Sequence, residues 1–299
     1  MTSASVLVPH YGAPEPTREL VAGLVAQRGR AAIAEVIVVD DASPDPLSDV
    51  AGATIIRRPV NGGFGAAVNT GARAATGDLL LILNSDLQVS PTFVADLVGA
   101  SAPWQPAVTG PAIRDLGGHP AYTARHFPTA TQQVTEWLTP LARFRDRRLL
   151  HEAVGHDTRA VPGATVTVDW LVGAALLVPR EAFLAVGGFD ESYHMNSEEI
   201  DFQRRLRERG IPSVFLGTVE ALHEGGGSSD PAQRRRWLVD SRFRYAAKWG
   251  GRRRLRAGLQ AATAINLAAN TTRRALGNRA VHPFVTARSE WRLITGDHR

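Results

Sequence analysis

The chain has 299 residues, 44% of them hydrophobic, enough for one large α/β domain or two modest ones with a real core. It contains no cysteine, which excludes a disulfide framework and any thiolate nucleophile or metal ligand. The net charge of +5 is uneven, with three arginine clusters between residues 234 and 256 that point to an anionic partner. The chain starts with small residues running into an apolar stretch from Ser5, without a basic leader, so a cytoplasmic site of action is expected. No apolar run reaches the roughly eighteen residues that a membrane-spanning helix needs.

In chain order, apolar runs at 5–9, 35–40, 54–58 and 79–83 alternate with helical patterns at 17–27, 66–75 and 91–100. Runs of unbroken Val, Ile and Leu predict strands buried on both faces, as in a parallel sheet covered by helices. The first hundred residues therefore read as a doubly wound α/β unit. In such sheets ligands bind beyond the carboxyl ends of the strands. There the sequence places Pro9-His10-Tyr11, Asp40-Asp41-Ala42-Ser43, Asn61-Gly62-Gly63 and Asn84-Ser85-Asp86. Between Ser101 and Ala160 the pattern weakens, with only 131–144 hinting at a helix. Order returns with a strand, a turn and a short helix closed by Gly187-Gly188. A helix is expected over Glu198 to Arg209, capped by Asn196 or Ser197, and then a strand at 213–216 that leads toward His223.

Five groups could bind a ligand or carry chemistry. Asp86 ends the apolar run 79–83 and reads either as a turn residue or as an oxygen ligand for a hard divalent cation. Ser90-Pro91 supplies the expected cap of the next helix, which leaves Asp86 for the second role. Asp40 and Asp41 read either as an Asx-turn or as acceptors for a nucleobase N–H or a ribose hydroxyl. The glycines at 62, 63 and 65 allow close backbone approach to a ligand but match neither a dinucleotide fingerprint nor a P-loop. Glu199 shares a helix face with Phe202 and Leu206; it reads either as half of a capping box or as a general base. His223 is either a solvated loop histidine or a second metal ligand.

In order, "VLVPHYG…VIVVDDAS", "NGGFGAAVNTGARAATGDLLLILNSD", "VDWLVGAALLVPREAFLAVGGFDE" and "EEIDFQRRLRERG…VEALHEGGGS" resemble the family-2 glycosyltransferases, most of all the bacterial rhamnosyltransferase type. The resemblance covers about Ser5 to Ser229. It implies a GT-A fold, a mostly parallel doubly wound sheet flanked by helices, followed by a C-terminal helical extension. The expected divisions are a nucleotide-sugar-binding half over 1–100, an acceptor-binding and catalytic half over 101–229, and a basic helical extension over 230–299. Pro9, Tyr11, Asp40 and Asp41 would border the nucleotide, with Gly63, Asn69, Ser85 and Asp86 completing the donor site. Asp86 and His223 would hold Mg²⁺ or Mn²⁺. Glu199 would be the base of an inverting transfer, and Trp170, Gly188, Phe189, Asp190 and Glu198 would shape the acceptor or donor-sugar pocket.

The sequence departs from the family pattern in three places: one carboxylate in Asn84-Ser85-Asp86 where Asp-x-Asp is usual, Glu199 where Asp is common, and Pro9-His10-Tyr11-Gly12 in the first motif. The implied partners are a nucleoside-diphosphate sugar, thymidine- or uridine-linked, and a glycan or lipid-linked acceptor. The aromatics Trp237, Phe243, Tyr245 and Trp249 among the arginines of 234–256 suit peripheral contact with an anionic inner leaflet; the same pattern suits a homodimer contact. No nucleic-acid module is evident. The rival classes are a nucleotidyltransferase-like enzyme, which would carry a Gly-rich basic loop after the first strand, and a non-catalytic nucleotide-sugar-binding module.

Overall fold

The computed structural model describes residues 2–29, 32–144, 147–225 and 230–296; the end of the fourth motif, 226–229, lies outside them. Two compact units emerge, one of residues 1–125 and 159–230, the other of 126–158 and 231–299. The division differs from the expected one at 126–158, which groups with the C-terminal helices.

The first unit opens with β1 (Ala4–His10), α1 (Pro14–Val25), β2 (Ile33–Asp40), β3 (Thr54–Arg57), α2 (Phe64–Ala74), β4 (Leu79–Leu83), β5 (Leu87–Val89) and α3 (Phe93–Ser101). The apolar run 79–83 is β4 itself, and all five of its residues are buried. At about 1.5–3 kcal/mol for each fully buried large aliphatic side chain, this strand anchors the centre of the sheet. It pairs in parallel with β1, which pairs with β2 and then β3, also in parallel. Polar residues 40–41 and 84–86 therefore emerge at the same sheet edge. One detail differs from expectation. Ser90-Pro91 does not cap α3, because β5 intervenes and the helix starts after Thr92; Asp86 lies in the turn between β4 and β5.

The unit continues with β6 (Val108–Asp115) and β7 (Ala124–Arg125), and returns after 159 with β8 (Thr165–Val168), β9 (Trp170–Leu171), β10 (Ala175–Pro179), α6 (Arg180–Ala185), α7 (Glu198–Arg207) and β11 (Ser213–His223). The sheet runs β3-β2-β1-β4-β10-β6-β11-β5, with β8 on β11. The second half is mixed: β10 is antiparallel to β4 and β6, β5 and β8 are antiparallel to β11, and β11 runs parallel to β6. β11 is longer than the predicted strand because it bulges. Leu216 pairs with Pro111 and Glu220 with Ala112, so three residues of β11 have no counterpart on β6. Gly217 fills the bulge, bonded to Gly163 and Ala164 through its carbonyl and amide at 2.7 Å each.

The second unit contains α4 (Ala130–Trp137), α5 (Arg148–Ala153), α8 (Pro231–Trp249), α9 (Arg252–Ala275) and α10 (Pro283–Thr295). Thr129 and Gln132 form a capping box on α4. The core of this unit is Trp137, Val239, Phe243, Ala246, Leu255, Leu259, Ala262 and Ile294. Trp137 Nε1 donates to Thr263 Oγ1 at 3.0 Å, and Asn266 Nδ2 donates to the Trp137 carbonyl at 2.9 Å. These bonds satisfy an indole and an amide that would be costly to bury alone. Phe243 and Tyr245, expected on an interfacial face of 234–256, are buried instead. The exposed apolar side chains of the unit include Leu276, Phe284, Val285 and Trp291, at the end of α9 and on α10. None of the described helices is long and apolar enough to cross a membrane.

Candidate active site

The two aspartates after β2 brace the chain around them. The Asp40 side chain is fully buried. It accepts from the Ser43 amide at 2.8 Å, the Leu47 amide at 3.2 Å, and the Arg57 guanidinium. Burial pushes this carboxyl up, but the bonds from Ser43, Leu47 and Arg57 outweigh it and hold it below the ordinary carboxylate value. Asp41 accepts from the Gly62 and Gly63 amides at 2.7–3.1 Å and pairs with Arg58. Arg57 and Arg58 end the 54–58 run, and nothing in its pattern assigns them a role. Pro9 is half-buried and Tyr11 is 41% exposed, so Tyr11 is the one of these four residues with an open face. His10 is buried, its Nδ1 2.8 Å from Thr17 Oγ1, and burial lowers its pKa.

Gly63 caps α2 with φ 86°, and a β-carbon there would overlap the His194 carbonyl oxygen. This is the close approach that the glycine-rich segment implied, although the partner is the protein's own backbone. Asn69, further along the helix, engages both backbone groups of Phe189: its Nδ2 donates to the Phe189 carbonyl at 2.8 Å and its Oδ1 accepts the Phe189 amide at 2.9 Å. Gly188, at φ 70°, has no room for a β-carbon against Asn69. Phe189 is buried among Phe64, Phe183 and Phe202, so Asn69, Gly188 and Phe189 form the frame of this region. Asp190 is half-buried, and its carboxylate accepts the Ser192 amide at 3.1 Å.

At the end of β4, Asp86 meets His223 from the end of β11. Nε2 of the histidine lies 2.9 Å from Asp86 Oδ1 and 3.3 Å from Asn84 Nδ2, and the Gly225 amide donates to Asp86 Oδ2 at 3.1 Å. Both side chains are about one-quarter exposed. Partial burial raises the Asp86 carboxyl, and the bond and charge from His223 more than reverse this, leaving it below its ordinary value. An imidazole and a carboxylate this close suit adjacent positions on an octahedral cation, whose ligand atoms at bonds of about 2.1 Å lie roughly 3 Å apart. Ser85, between Asn84 and Asp86, is half-buried in the same turn.

α7 supplies the second acidic pair. The helix starts one residue after an unusual bend: Asn196 and Ser197 both have φ 70°, and neither provides the expected cap. Glu198 is 3% exposed and lies against the first turn of α2, its Cβ and Cγ 3.6 Å from where a Gly65 β-carbon would be. Glu199 lies against Gly173, its Cβ and Cγ 3.6 Å from where a Gly173 β-carbon would be. One carboxylate oxygen of each, Oε2, is buried without a hydrogen-bond partner. Burial raises the Glu198 carboxyl well above its ordinary value, and the neighbouring Glu199 charge adds to the shift. Burial raises Glu199 as well, tempered by amides that include Gly173 and by the Arg125 charge. Arg125 stacks on Trp170, 5.7 Å from its ring centroid, which ties the predicted Trp170 to the acid through a residue from the stretch that gave no sequence pattern. Two arginines of α7 turn back onto the backbone of the unit. Arg205 bonds the carbonyls of Val186 and Gly188, and Arg207 that of Val168.

The two acidic sites are joined by backbone. Gly173 bonds Glu199, the next residue, Ala174, accepts the Asn84 amide at 2.8 Å, and Asn84 reaches His223. A short run of bonds thus connects Glu199 with the Asp86–His223 pair past the carboxyl end of β4.

A mixed sheet flanked by helices, with strand-end carboxylates at its parallel edge, is the arrangement of a GT-A fold. The family model for glycosyl transferase family 2 matches residues 5–160, and the chain belongs to that family. It is 32% identical over 216 residues to N-acetylglucosaminyl-diphospho-decaprenol L-rhamnosyltransferase of Mycobacterium tuberculosis (strain ATCC 25618 / H37Rv), covering 66% of this chain and 69% of the relative. It is 28% identical over 129 residues to rhamnosyltransferase WbbL of Escherichia coli (strain K12), 42% of this chain and 45% of the other. Among solved structures, GalNAc-T7 with UDP, GalNAc and Mn²⁺ superposes with a TM-score of 0.55 at 17% identity, over 83% of this chain and 48% of that one; that likeness is one of fold.

Proposed function

We propose that the enzyme moves a sugar, L-rhamnose from a thymidine-diphosphate donor in the first instance, to a hydroxyl of a lipid-linked glycan acceptor with inversion at the anomeric carbon. The observation that carries this reading is Glu199: a half-buried residue whose carboxyl has a raised pKa and one buried oxygen without a partner, linked through Gly173, Ala174 and Asn84 to the Asp86–His223 pair. The acceptor O–H gives its proton to Glu199 as its oxygen bonds the anomeric carbon, and the bond from that carbon to the phosphate oxygen breaks, releasing the nucleoside diphosphate. Asp86 and His223 would hold Mg²⁺ or Mn²⁺, which when bound offsets charge on the departing pyrophosphate. Tyr11 offers its open face to the nucleobase, while Asp41, already holding Gly62, Gly63 and Arg58, fixes the backbone beneath it. Trp170, Asp190 and Glu198 border the sugar and acceptor positions.

The test is Glu199→Gln: transfer is expected to fall by about 10²-fold or more with donor affinity, read by thermal shift, nearly intact. Transfer at the unaltered rate removes Glu199 from the role.

The reading includes peripheral attachment to an anionic inner leaflet, carried by α10 rather than by 234–256. Residues 252–296 contain nine arginines and one acid, Glu290, and Glu290 is buried and paired with Arg235. The exposed Phe284, Val285 and Trp291 share the helix with Arg288 and Arg292, which line a cavity of about 500 Å³. Apolar anchors beside cations suit an interfacial helix, each cation near an anionic surface contributing about 1 kcal/mol. Phe284→Glu with Trp291→Ser is expected to abolish co-sedimentation with vesicles containing anionic lipid; unchanged sedimentation refutes the attachment face.

A further inference from the structure

Outside this site, the second unit gathers an unusual set of ligand-type side chains. Three of the nine histidines of the chain, with Glu152 and Asp157, lie within residues 126–157. One ligand atom each from His126, Glu152 and Asp157 lies within 4.8 Å of the other two. We infer that these three residues form a second divalent-cation site, suited to Zn²⁺, which fastens the start of the 126–158 segment to its end.

The chemistry of the set selects the ion. One imidazole and two carboxylates, in a chain without thiolates, favour a borderline divalent metal over Cu(I), and the imidazole favours Zn²⁺ over Mg²⁺. His126 Nε2 and Glu152 Oε2 are 3.0 Å apart, close to the roughly 3.3 Å between neighbouring ligand atoms in a tetrahedral site with bonds of about 2.0–2.1 Å. With every separation within 4.8 Å, the widest edge must close by at most about 1.5 Å to reach that tetrahedral spacing, within the reach of a side-chain torsion. Asp157 is 2% exposed, so the floor of the site is dry. The His126 and Glu152 side chains are 33% and 39% exposed, which leaves the ion a route in.

The surroundings already orient two of the ligands. The second oxygen of Glu152, Oε1, takes the Thr158 amide at 2.9 Å and the Thr158 hydroxyl. The His126 amide donates to the Gly155 carbonyl at 2.8 Å, pinning the histidine beside the 151–157 turn. Such outer contacts fix the aim of metal ligands. In the same turn, the Nδ1 atoms of His151 and His156 lie 3.0 Å apart, so the turn is rich in donors beyond the three named. A cation here would cross-link residues about 30 apart in sequence, closing the loop by which the chain enters and leaves this unit.

The test uses the full chain stripped of metal, carrying Asp86→Asn to disable the Asp86–His223 pair, and Zn²⁺ as the titrant in calorimetry. One Zn²⁺ is expected to bind and to raise the midpoint of thermal unfolding. His126→Gln and Asp157→Asn, each added to that background, are expected to weaken binding by about 10–100-fold or more and to remove the thermal shift. Should Asp157→Asn fail to fold, the partly exposed His126→Gln decides, with its circular dichroism checked against the parent. No Zn²⁺ binding by the Asp86→Asn chain, or equal affinity after His126→Gln, overturns the site. Neither result bears on transfer, so this inference can fail while the glycosyltransferase reading stands, and the reverse.

Discussion

Two pairs of adjacent acids, Asp40-Asp41 after β2 and Glu198-Glu199 at the start of α7, have opposite electrostatics. At the first pair, amides and arginines meet the carboxylates, and Asp40 titrates below its ordinary value. At the second, each glutamate keeps one buried oxygen without a partner, and both titrate above it. Both pairs are buried or nearly so, so burial alone does not separate them; the supply of donors does. A carboxylate with all its acceptors engaged stiffens the structure, and one held short of donors can take a proton.

Breaking the first pair tests stability. Asp40→Ala removes the acceptor for two amides and leaves Arg57 without its partner; a loss of about 3 kcal/mol is expected in chemical denaturation. Because the folded-state pKa of Asp40 is depressed, its contribution is present above the ordinary carboxylate pKa and is lost as pH falls through the depressed value. The variant should therefore show a shallower decline of stability on the acid side.

At the second pair the expected signature is kinetic. The acid limb of the pH–rate profile should lie above the ordinary glutamate pKa, with transfer rising as Glu199 loses its proton, and it should be absent from the residual activity of Glu199→Gln. A limb at an unperturbed carboxylate value would erase the contrast. Gly63→Ala probes the backbone between the pairs. A methyl at φ 86° that overlaps the His194 carbonyl should cost about 2 kcal/mol, from left-handed strain plus the displaced loop. The smallest effect is expected from Glu198→Gln. A raised pKa means that wild-type stability falls as pH climbs from the ordinary value toward the folded one. The amide should thus match wild type at acid pH and gain at neutral pH, by about 2–4 °C for each kcal/mol recovered in a domain of this size.

How far the sequence revealed these differences depended on locality. β4 and the strand-end positions of Asp41 and Asp86 were legible because unbroken aliphatic runs have one physical reading. Glu199 and His223 were legible as candidates, yet the link between them through Gly173 and Asn84 was not, since the residues are far apart in the chain. Arg57, Arg58 and Arg125 escaped notice because an arginine's partner is set by tertiary structure. The Ser197 bend ran against the expected cap, as αL backbone at a non-glycine residue leaves no compositional trace. The segment 126–158 lacked a period of its own because Trp137 packs with Val239, Phe243 and Leu259, a hundred residues away.

The bulge in β11 sets where the end of that strand lands. Had the strand run straight beside β6 after Leu216, residue 220 would stand opposite Asp115, where His223 now stands. Three surplus residues, an odd number, also reverse which side of the pleat each later side chain occupies. The imidazole therefore reaches Asp86 by a matter of counting, and in relatives of this chain the length of that stretch should be under tighter constraint than its lettering.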